Sequence, residues 1–170
     1  SYLDQFGSDR VSKLILIDEP PHVVNDPHNP SEWGEASLSH DGLPAFIQFL
    51  STARDDFWAF IATHALGLET DAADSDPVAC DLIALGNQTP EHIAIITGVE
   101  GLSADYSGAA IAFNNTGKPL LFLARDEWAD DASRWVSAQL PNARFETIRT
   151  HAGFVTQPEE FNARIRACGS

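Results

Sequence analysis

Two short apolar runs, far apart in the sequence, constrain the fold of this chain more than any other feature. Leu14–Ile17 is apolar at every position and partly β-branched, and a second apolar run occupies 120–124. Strands that are apolar on both faces are typical of a parallel sheet that helices cover on both sides. Together with a β-like run at 143–148, they predict an α/β fold with a mostly parallel sheet and strands at 12–18, 118–124 and 143–148.

The long segment between the first two strands is mostly helical in its pattern. Residues 19–41 are rich in Pro, Asn, Asp and His and are predicted to form a loop, and a helix is expected from Gly42 to about Ala65. Further helices are expected at 77–85, from Thr89 as N-cap with Pro90 at the first helical position, and through 109–113. After the second strand, helices are expected at 128–140 and 158–167.

The composition argues against several classes of function. The chain has 170 residues, enough for one domain with a sizeable core. A net charge of −15 argues against binding to nucleic acid or to anionic membranes, since both need clustered Lys and Arg. No signal-peptide pattern and no apolar run of transmembrane length occurs, so we expect a cytoplasmic protein. Cys80 and Cys168 are too few for a disulfide framework and too isolated for a zinc site.

Several residues of the Pro-rich loop belong to the types that bind metals. Three histidines, His22, His28 and His40, lie near Asp26 and Glu32 in the sequence. Their spacings match no closed zinc pattern, and the surrounding segment is predicted to be a loop. We therefore expect no metal site here.

A single histidine near the end of the sequence is placed for proton transfer. His151 follows the β-like run 143–148 and opens an Ala-Gly loop, and a helix then begins at Pro158. Proline suits the first helical position, and Glu159 and Glu160 suit the positive end of the helix dipole. A histidine presented at a strand tip titrates near neutral pH and can move protons. Taken alone, the pattern also fits an ordinary surface histidine.

The whole segment from Thr150 to Asn162 resembles the catalytic-histidine loop of the α/β-hydrolase superfamily. In that family the pattern is a strand, Gly-His, a hydrophobic pair and Pro-Glu-x-Phe-Asn on the last helix, and Thr150 stands here in place of the glycine. Similar matches are Phe6-Gly7-x-x-Arg10-Val11-x-x-Leu14-x-Leu16-Ile17-Asp18 and Pro119-Leu120-Leu121-Phe122. The resemblance implies the C-terminal part of an α/β-hydrolase fold. Residues 1–18 and 118–170 would form its core, and 19–117 would be a helical lid inserted after the sixth strand of the family.

The resemblance also implies a catalytic triad of serine, acid and histidine, in that chain order. His151 would be the general base. The acid would lie just after the strand at 118–124, where Glu127 is the first choice and Asp126 the second, and Asp18 at the tip of the first strand is the third. No Ser is flanked by glycines in the G-x-S-x-G pattern of a nucleophile elbow, so the nucleophile is missing from the 170 residues.

Two short motifs narrow the resemblance further. The pairing of Glu127-Trp128-Ala129 with Pro141-Asn142-Ala143-Arg144 is most similar to the branch containing cofactor-free esterases and N-acyl-homoserine lactone hydrolases. We therefore expect a serine-type hydrolase that cleaves a small hydrophobic ester or lactone and needs no metal or cofactor. Two alternatives stay open on the same fold: a cofactor-independent oxygenase or dehalogenase, and a ligand receptor without catalytic activity.

The start of the sequence adds an expectation about partners. The chain contains no methionine and opens with what resembles the last turns of a helix ending at Gly7. This pattern suggests that something precedes Ser1. The expected partner is then the remainder of the same hydrolase domain, which would pair with the outer edge of the strand at 12–18.

Overall fold

The structure is a computed structural model that describes residues 2–25, 38–39, 41–69 and 75–168. Its strands are β1 (Leu14–Ile17), β2 (Val24–Asn25), β3 (Leu38–Ser39), β4 (Leu120–Arg125) and β5 (Arg144–Ile148). Its helices are α1 (Tyr2–Phe6), α2 (Gly42–Thr52), α3 (Arg54–Leu66), α4 (Pro77–Gln88), α5 (Glu91–Ser103), α6 (Ser107–Asn114), α7 (Ala129–Gln139), α8 (Gly153–Thr156) and α9 (Pro158–Ala167). A 3-10 turn at Asp126–Trp128 connects β4 to α7.

Three parallel strands form the main sheet, in the order β1-β4-β5. β4 lies in the middle, and all its residues from Leu120 to Ala124 are buried. The uninterrupted apolar run of β4 agrees with its position between two strands and between helices on both faces. The predicted strands at 12–18, 118–124 and 143–148 are confirmed to within two residues, and the predicted final helix coincides with α9.

Alternate side chains of β4 pack on opposite faces of the sheet. Phe122 lies in a cluster with Phe113 of α6 and Trp135 of α7. Leu121 and Leu123 lie in a second cluster, which includes Phe161 of α9. Helices on both faces thus hold the sheet, and because its strands are parallel, their carboxyl ends meet at one edge.

The segment between β1 and β4 differs in detail from the prediction. The single helix expected from Gly42 to Ala65 is divided, because the backbone at Ala53 (φ −142°, ψ 58°) leaves the helical region. α5 has Pro90 rather than Thr89 as N-cap, since the N–H of Thr89 still bonds the Gly86 carbonyl and closes α4. The short parallel pair of β2 and β3 lies within the predicted loop. Among the described helices, none combines the length and apolar character that a bilayer crossing requires.

β1 lies at the edge of the described sheet. It pairs with β4, and its opposite edge has no partner within the described residues. The side chains of β1 are all partly exposed. An apolar cleft of about 340 Å³ lies beside it, lined in part by Tyr2, Leu14, Leu16 and Tyr106. That further polypeptide covers this edge stays a prediction.

Candidate active site

Asp18 directly follows β1, and its side chain is inaccessible to solvent. Its φ is +50°, and within the described ranges Asp18 is the only non-glycine residue with a positive φ. Aspartate tolerates this left-handed conformation better than most residues, at a cost of roughly 1–2 kcal/mol. The N–H of Asp18 donates to the Leu123 carbonyl at 2.7 Å, which keeps the residue attached to β4. A buried carboxylate in a strained conformation at the end of a sheet points to a functional role.

The carboxylate of Asp18 accepts four hydrogen bonds. Oδ1 accepts from the backbone N–H of Arg125 and from Nε1 of Trp128, both at 2.6 Å. Oδ2 accepts from Nε of Arg125 at 2.7 Å and from Nδ1 of His151 at 2.9 Å. Both oxygens are therefore satisfied although the group has no contact with water.

Arg125, the last residue of β4, contacts both Asp18 and Trp128. Its guanidinium lies over the indole of Trp128, with Cζ 4.1 Å from the ring centroid, a cation–π arrangement. Parallel pairing of β1 with β4 brings Arg125 beside Asp18, although the two are 107 positions apart. The positive charge of Arg125 balances the buried negative charge. Neither Arg125 nor Trp128 was predicted from the sequence as a site residue. The available signal was a cation directly after the predicted strand 118–124, since Asp18 stands at the end of the neighbouring predicted strand.

His151 lies in the loop after β5, where its Nδ1 donates to Asp18. With Nδ1–H directed at a carboxylate, Nε2 is the ring nitrogen that can accept a proton. The side chain is 33 % exposed, and Nε2 lies 3.8 Å from Oε1 of Glu19. The hydrogen bond to Asp18 raises the pKa of His151 above 6.5. The charges of Asp18 and Glu19 act in the same direction, whereas partial burial and Arg125 oppose them.

Glu19 is a second carboxylate at His151 and is not among the residues predicted from the sequence. Desolvation raises the pKa of Glu19 above 4.5, aided by the charge of Asp18 and opposed by His151 and Arg125. Glu19 lines the apolar cleft beside β1 and also a second cleft of about 360 Å³. Phe46 of α2 lies in the wall of the second cleft, together with residues of α5. Both clefts therefore reach Glu19, whose carboxylate lies near Nε2 of His151.

Within the described residues, the structure gives neither Glu127 nor Asp126 a contact with His151. Both residues are exposed, and Glu127, with 75 % of its side chain accessible, lies 3.8 Å from Nη1 of Arg125. The 3-10 turn after β4 is the physical reason, because it directs both carboxylates to solvent and turns Trp128 towards Asp18. Of the three carboxylates considered from the sequence, Asp18 is the one that contacts His151.

The histidines considered as metal ligands fall mostly outside the described residues. His28, His40, Asp26 and Glu32 all lie there. His22 is described, and it forms an isolated antiparallel bridge with Asp105. Within the described ranges, no three His, Cys, Asp or Glu side chains are grouped as a metal site requires.

Comparison with known proteins gives matches among solved structures. No protein-family model matches the sequence, and neither does any curated protein. A bromoperoxidase from Bacillus anthracis matches with a TM-score of 0.77 at 18% identity, over 97% of this chain and 60% of that chain. A hydrolase from Oleispira antarctica matches with a TM-score of 0.66 at 19% identity, over 97% of this chain and 62% of that chain. The chain thus spans about three fifths of the length of these two proteins.

Similarity at this level of identity establishes a shared fold. Both matched proteins have the α/β-hydrolase fold. The order of β1, a helical segment, β4, α7, β5, the histidine loop and α9 agrees with the order that the sequence resemblance predicted. The chain therefore has the α/β-hydrolase fold, as the C-terminal part of it that the resemblance implied.

Proposed function

We propose that this chain supplies the histidine and the acid of a serine-type hydrolase that cleaves a small hydrophobic ester or lactone. The contact between Oδ2 of Asp18 and Nδ1 of His151 carries the proposal. It is the base–acid arrangement of a catalytic triad, in which a buried carboxylate orients the imidazole and leaves Nε2 for the reaction. In this proposal the acid role belongs to Asp18.

The nucleophile comes from polypeptide outside the 170 residues, because no G-x-S-x-G elbow occurs in them. The full protein is termed the parent protein below. In it, Nε2 of His151 removes the proton of a serine hydroxyl while the serine oxygen attacks the carbonyl carbon of the substrate. The imidazolium, stabilised by Asp18, then protonates the departing alkoxide oxygen. Water hydrolyses the resulting acyl-enzyme by the same proton transfers in reverse order.

The cleft of about 360 Å³ supports the choice of a hydrophobic substrate. Its lining is mostly apolar, and it lies between Glu19, next to the histidine, and helices α2 and α5. An acyl chain in this cleft would leave the ester or lactone carbonyl near His151. In this proposal residues 19–117 act as the lid over the site, and 1–18 with 118–170 form the core.

A second candidate is a cofactor-independent oxygenase or dehalogenase, or a receptor, on the same fold. One observation favours keeping it. The structure that matches with a TM-score of 0.77 is a bromoperoxidase, so the fold by itself does not select ester hydrolysis.

Hydrolysis of short-chain p-nitrophenyl esters by the parent protein tests the proposal. We expect a burst of p-nitrophenol as the acyl-enzyme accumulates. His151→Ala should lower turnover by about 10³-fold or more. His64→Ala is the matched control, because His64 is an exposed histidine of α3 that bonds the Phe60 carbonyl. The proposal is contradicted if p-nitrophenyl esters give no burst. It is also contradicted if turnover of the His151→Ala variant stays within about tenfold of that of the unmodified protein.

A further inference from the structure

The residue that follows His151 is held by the C-terminal turn of α3. The Ala152 N–H donates to the carbonyl oxygen of Ala65 at 2.7 Å. Carbonyl groups in the last turn of a helix have no partner within the helix, so the histidine loop satisfies one of them. The Ala152 side chain is buried in a cluster with Ala62 and Leu66 of the same helix. The loop is therefore fixed to α3 on this side of the histidine.

The residue that precedes His151 packs on the end of the same helix. Gly67 closes α3 with φ +66° and ψ 39°, and its N–H bonds the Thr63 carbonyl. A Cβ atom on Gly67 would lie 2.7 Å from Cγ2 of Thr150, which is too close for two non-bonded carbon atoms. Gly67 therefore leaves the space that the Thr150 methyl group occupies.

Thr150 has little freedom to avoid such a contact. It is buried, and its β-branched side chain has few rotamers. Its Oγ1 lies 2.7 Å from Oγ1 of Thr156, and the Thr156 hydroxyl also donates to the Ala152 carbonyl. Displacing Thr150 would therefore displace the histidine loop as a whole.

We propose that Gly67 is a positioning residue for His151. Its missing side chain lets Thr150 pack directly on the end of α3, so that both sequence neighbours of the histidine are anchored and Nδ1 stays at bonding distance from Asp18. The catalytic meaning of this placement rests on the proposed function, whereas the placement itself does not. Helix α3, although it lies in the segment between β1 and β4, is thereby part of the frame of the active site.

Gly67→Ala in the parent protein tests the placement, with Gly117→Ala as matched control. Gly117 has φ +71° and nothing within 4 Å of its Cβ position, so both substitutions put alanine into left-handed backbone but only one contacts Thr150. NMR titration of His151 reports its bond to Asp18 without needing turnover. We expect G67A to lower the pKa of His151 towards 6.5 and G117A to leave it unchanged. In active protein, G67A should also lower kcat by about tenfold or more with KM little changed.

Thr150→Ser provides the rescue, because it removes the Cγ2 methyl group and keeps the hydroxyl that faces Thr156. The double variant G67A/T150S should regain the His151 titration of the unmodified protein and a kcat within about threefold of it. An unchanged titration in folded G67A, an equal shift in G117A, or no recovery in the double variant overturns the proposal.

Two further outcomes are decisive. If G67A does not fold, T150S alone tests the contact: the gap beside Gly67 should lower the His151 pKa by a smaller amount, and an unchanged value overturns the proposal. If the NMR shifts and their rescue occur in a protein without esterase activity, the proposed function fails and the positioning by Gly67 stands.

Discussion

Arg125 binds Asp18 with two different groups at once, its backbone N–H to Oδ1 at 2.6 Å and its Nε to Oδ2 at 2.7 Å. The plane of the carboxylate is thereby fixed relative to β4. The oxygen that accepts from His151 is fixed with it. Because the Asp18 side chain has no contact with solvent, its orientation depends on these protein donors rather than on water.

Arg125→Met should destabilise the protein by about 3 kcal/mol or more, because the buried Asp18 charge would lose the Arg125 cation and the hydrogen bond that its guanidinium donates. The pKa of His151 should rise further, since Arg125 lowers it. Arg134→Met is the matched control, because Arg134 is 69 % exposed in its pair with Asp131, and it should cost at most about 0.5 kcal/mol. Urea denaturation measures both variants, and equal losses would mean that Arg125 contributes no more than a surface cation.

Asp18→Asn should lower kcat of the parent protein by about 10⁴-fold. An asparagine offers one acceptor oxygen to the four donors and directs an NH₂ group at two of them. Asparagine also tolerates left-handed backbone, so the position itself stays compatible with the residue. Glu127→Gln and Asp126→Asn should each keep kcat within about twofold. Steady-state kinetics on p-nitrophenyl esters decides, and a large loss in E127Q with little loss in D18N would return the acid role to Glu127.

Glu19→Gln should move the acid limb of the pH–kcat/KM profile to lower pH. In the proposed mechanism the base form of His151 is the active one, and the Glu19 charge raises the pKa of His151 by favouring the imidazolium. Neutralising Glu19 therefore lowers that pKa and makes the base available at more acidic pH. Glu127→Gln is the control, because Glu127 is an exposed carboxylate that pairs with Arg125 instead. An unmoved limb in E19Q would show that Glu19 does not influence the histidine.

Trp128→Phe should cost about 1.5–3 kcal/mol, because it removes the Nε1–H donor to the charged Oδ1 of Asp18. Trp58→Phe tests the same chemical change without a broken bond, since Nε1 of Trp58 is buried and has no hydrogen-bond partner within the described residues. W58F therefore loses no hydrogen bond, and it should lower the free energy of unfolding by less than W128F does. Thermal and urea unfolding compare the two, and a larger loss in W58F would contradict the assignment.

Stability should depend on pH through His151 with a defined sign. The pKa of His151 is higher in the folded protein than its ordinary value of 6.5, so the folded state binds the proton more tightly. The resulting stabilisation is complete below about pH 6.5 and is lost as the pH rises through the folded-state pKa. The difference in unfolding free energy between the unmodified protein and His151→Asn should therefore fall across this window. A difference that rises with pH would contradict the shift.

The sheet was predictable from the sequence because its physical requirement is local. A strand covered on both faces needs an uninterrupted apolar run, and Leu14–Ile17 and the run in β4 both show one. The final helix was equally local, with Pro158 and two glutamates at its start. Which carboxylate contacts His151 is not a local property of the sequence. A carboxylate that follows a strand is common wherever a helix begins next, so its presence in the sequence does not reveal its contacts. The register of β1 against β4 and the 3-10 turn place Asp18 inside the protein and Glu127 in solvent.

The pairing of Gly67 with Thr150 was unpredictable for a related reason. A glycine after a helix is an ordinary C-cap, and its positive φ explains it without any neighbour. The contact with Thr150 depends on how α3 packs against the histidine loop, which no short motif encodes.

The distances along the chain from Asp18 to its partners have a consequence for synthesis. Arg125 and His151 follow it by 107 and 133 residues. At about 5–20 residues per second, Arg125 leaves the ribosome roughly 5–21 s after Asp18, and His151 roughly 7–27 s after it. Until then the Asp18 carboxylate lacks both of these partners, and the cost of dehydrating a charge without them disfavours burial of the end of β1. The contacts of Asp18 with Arg125 and His151 thus form only once β4 and β5 have added in the correct register.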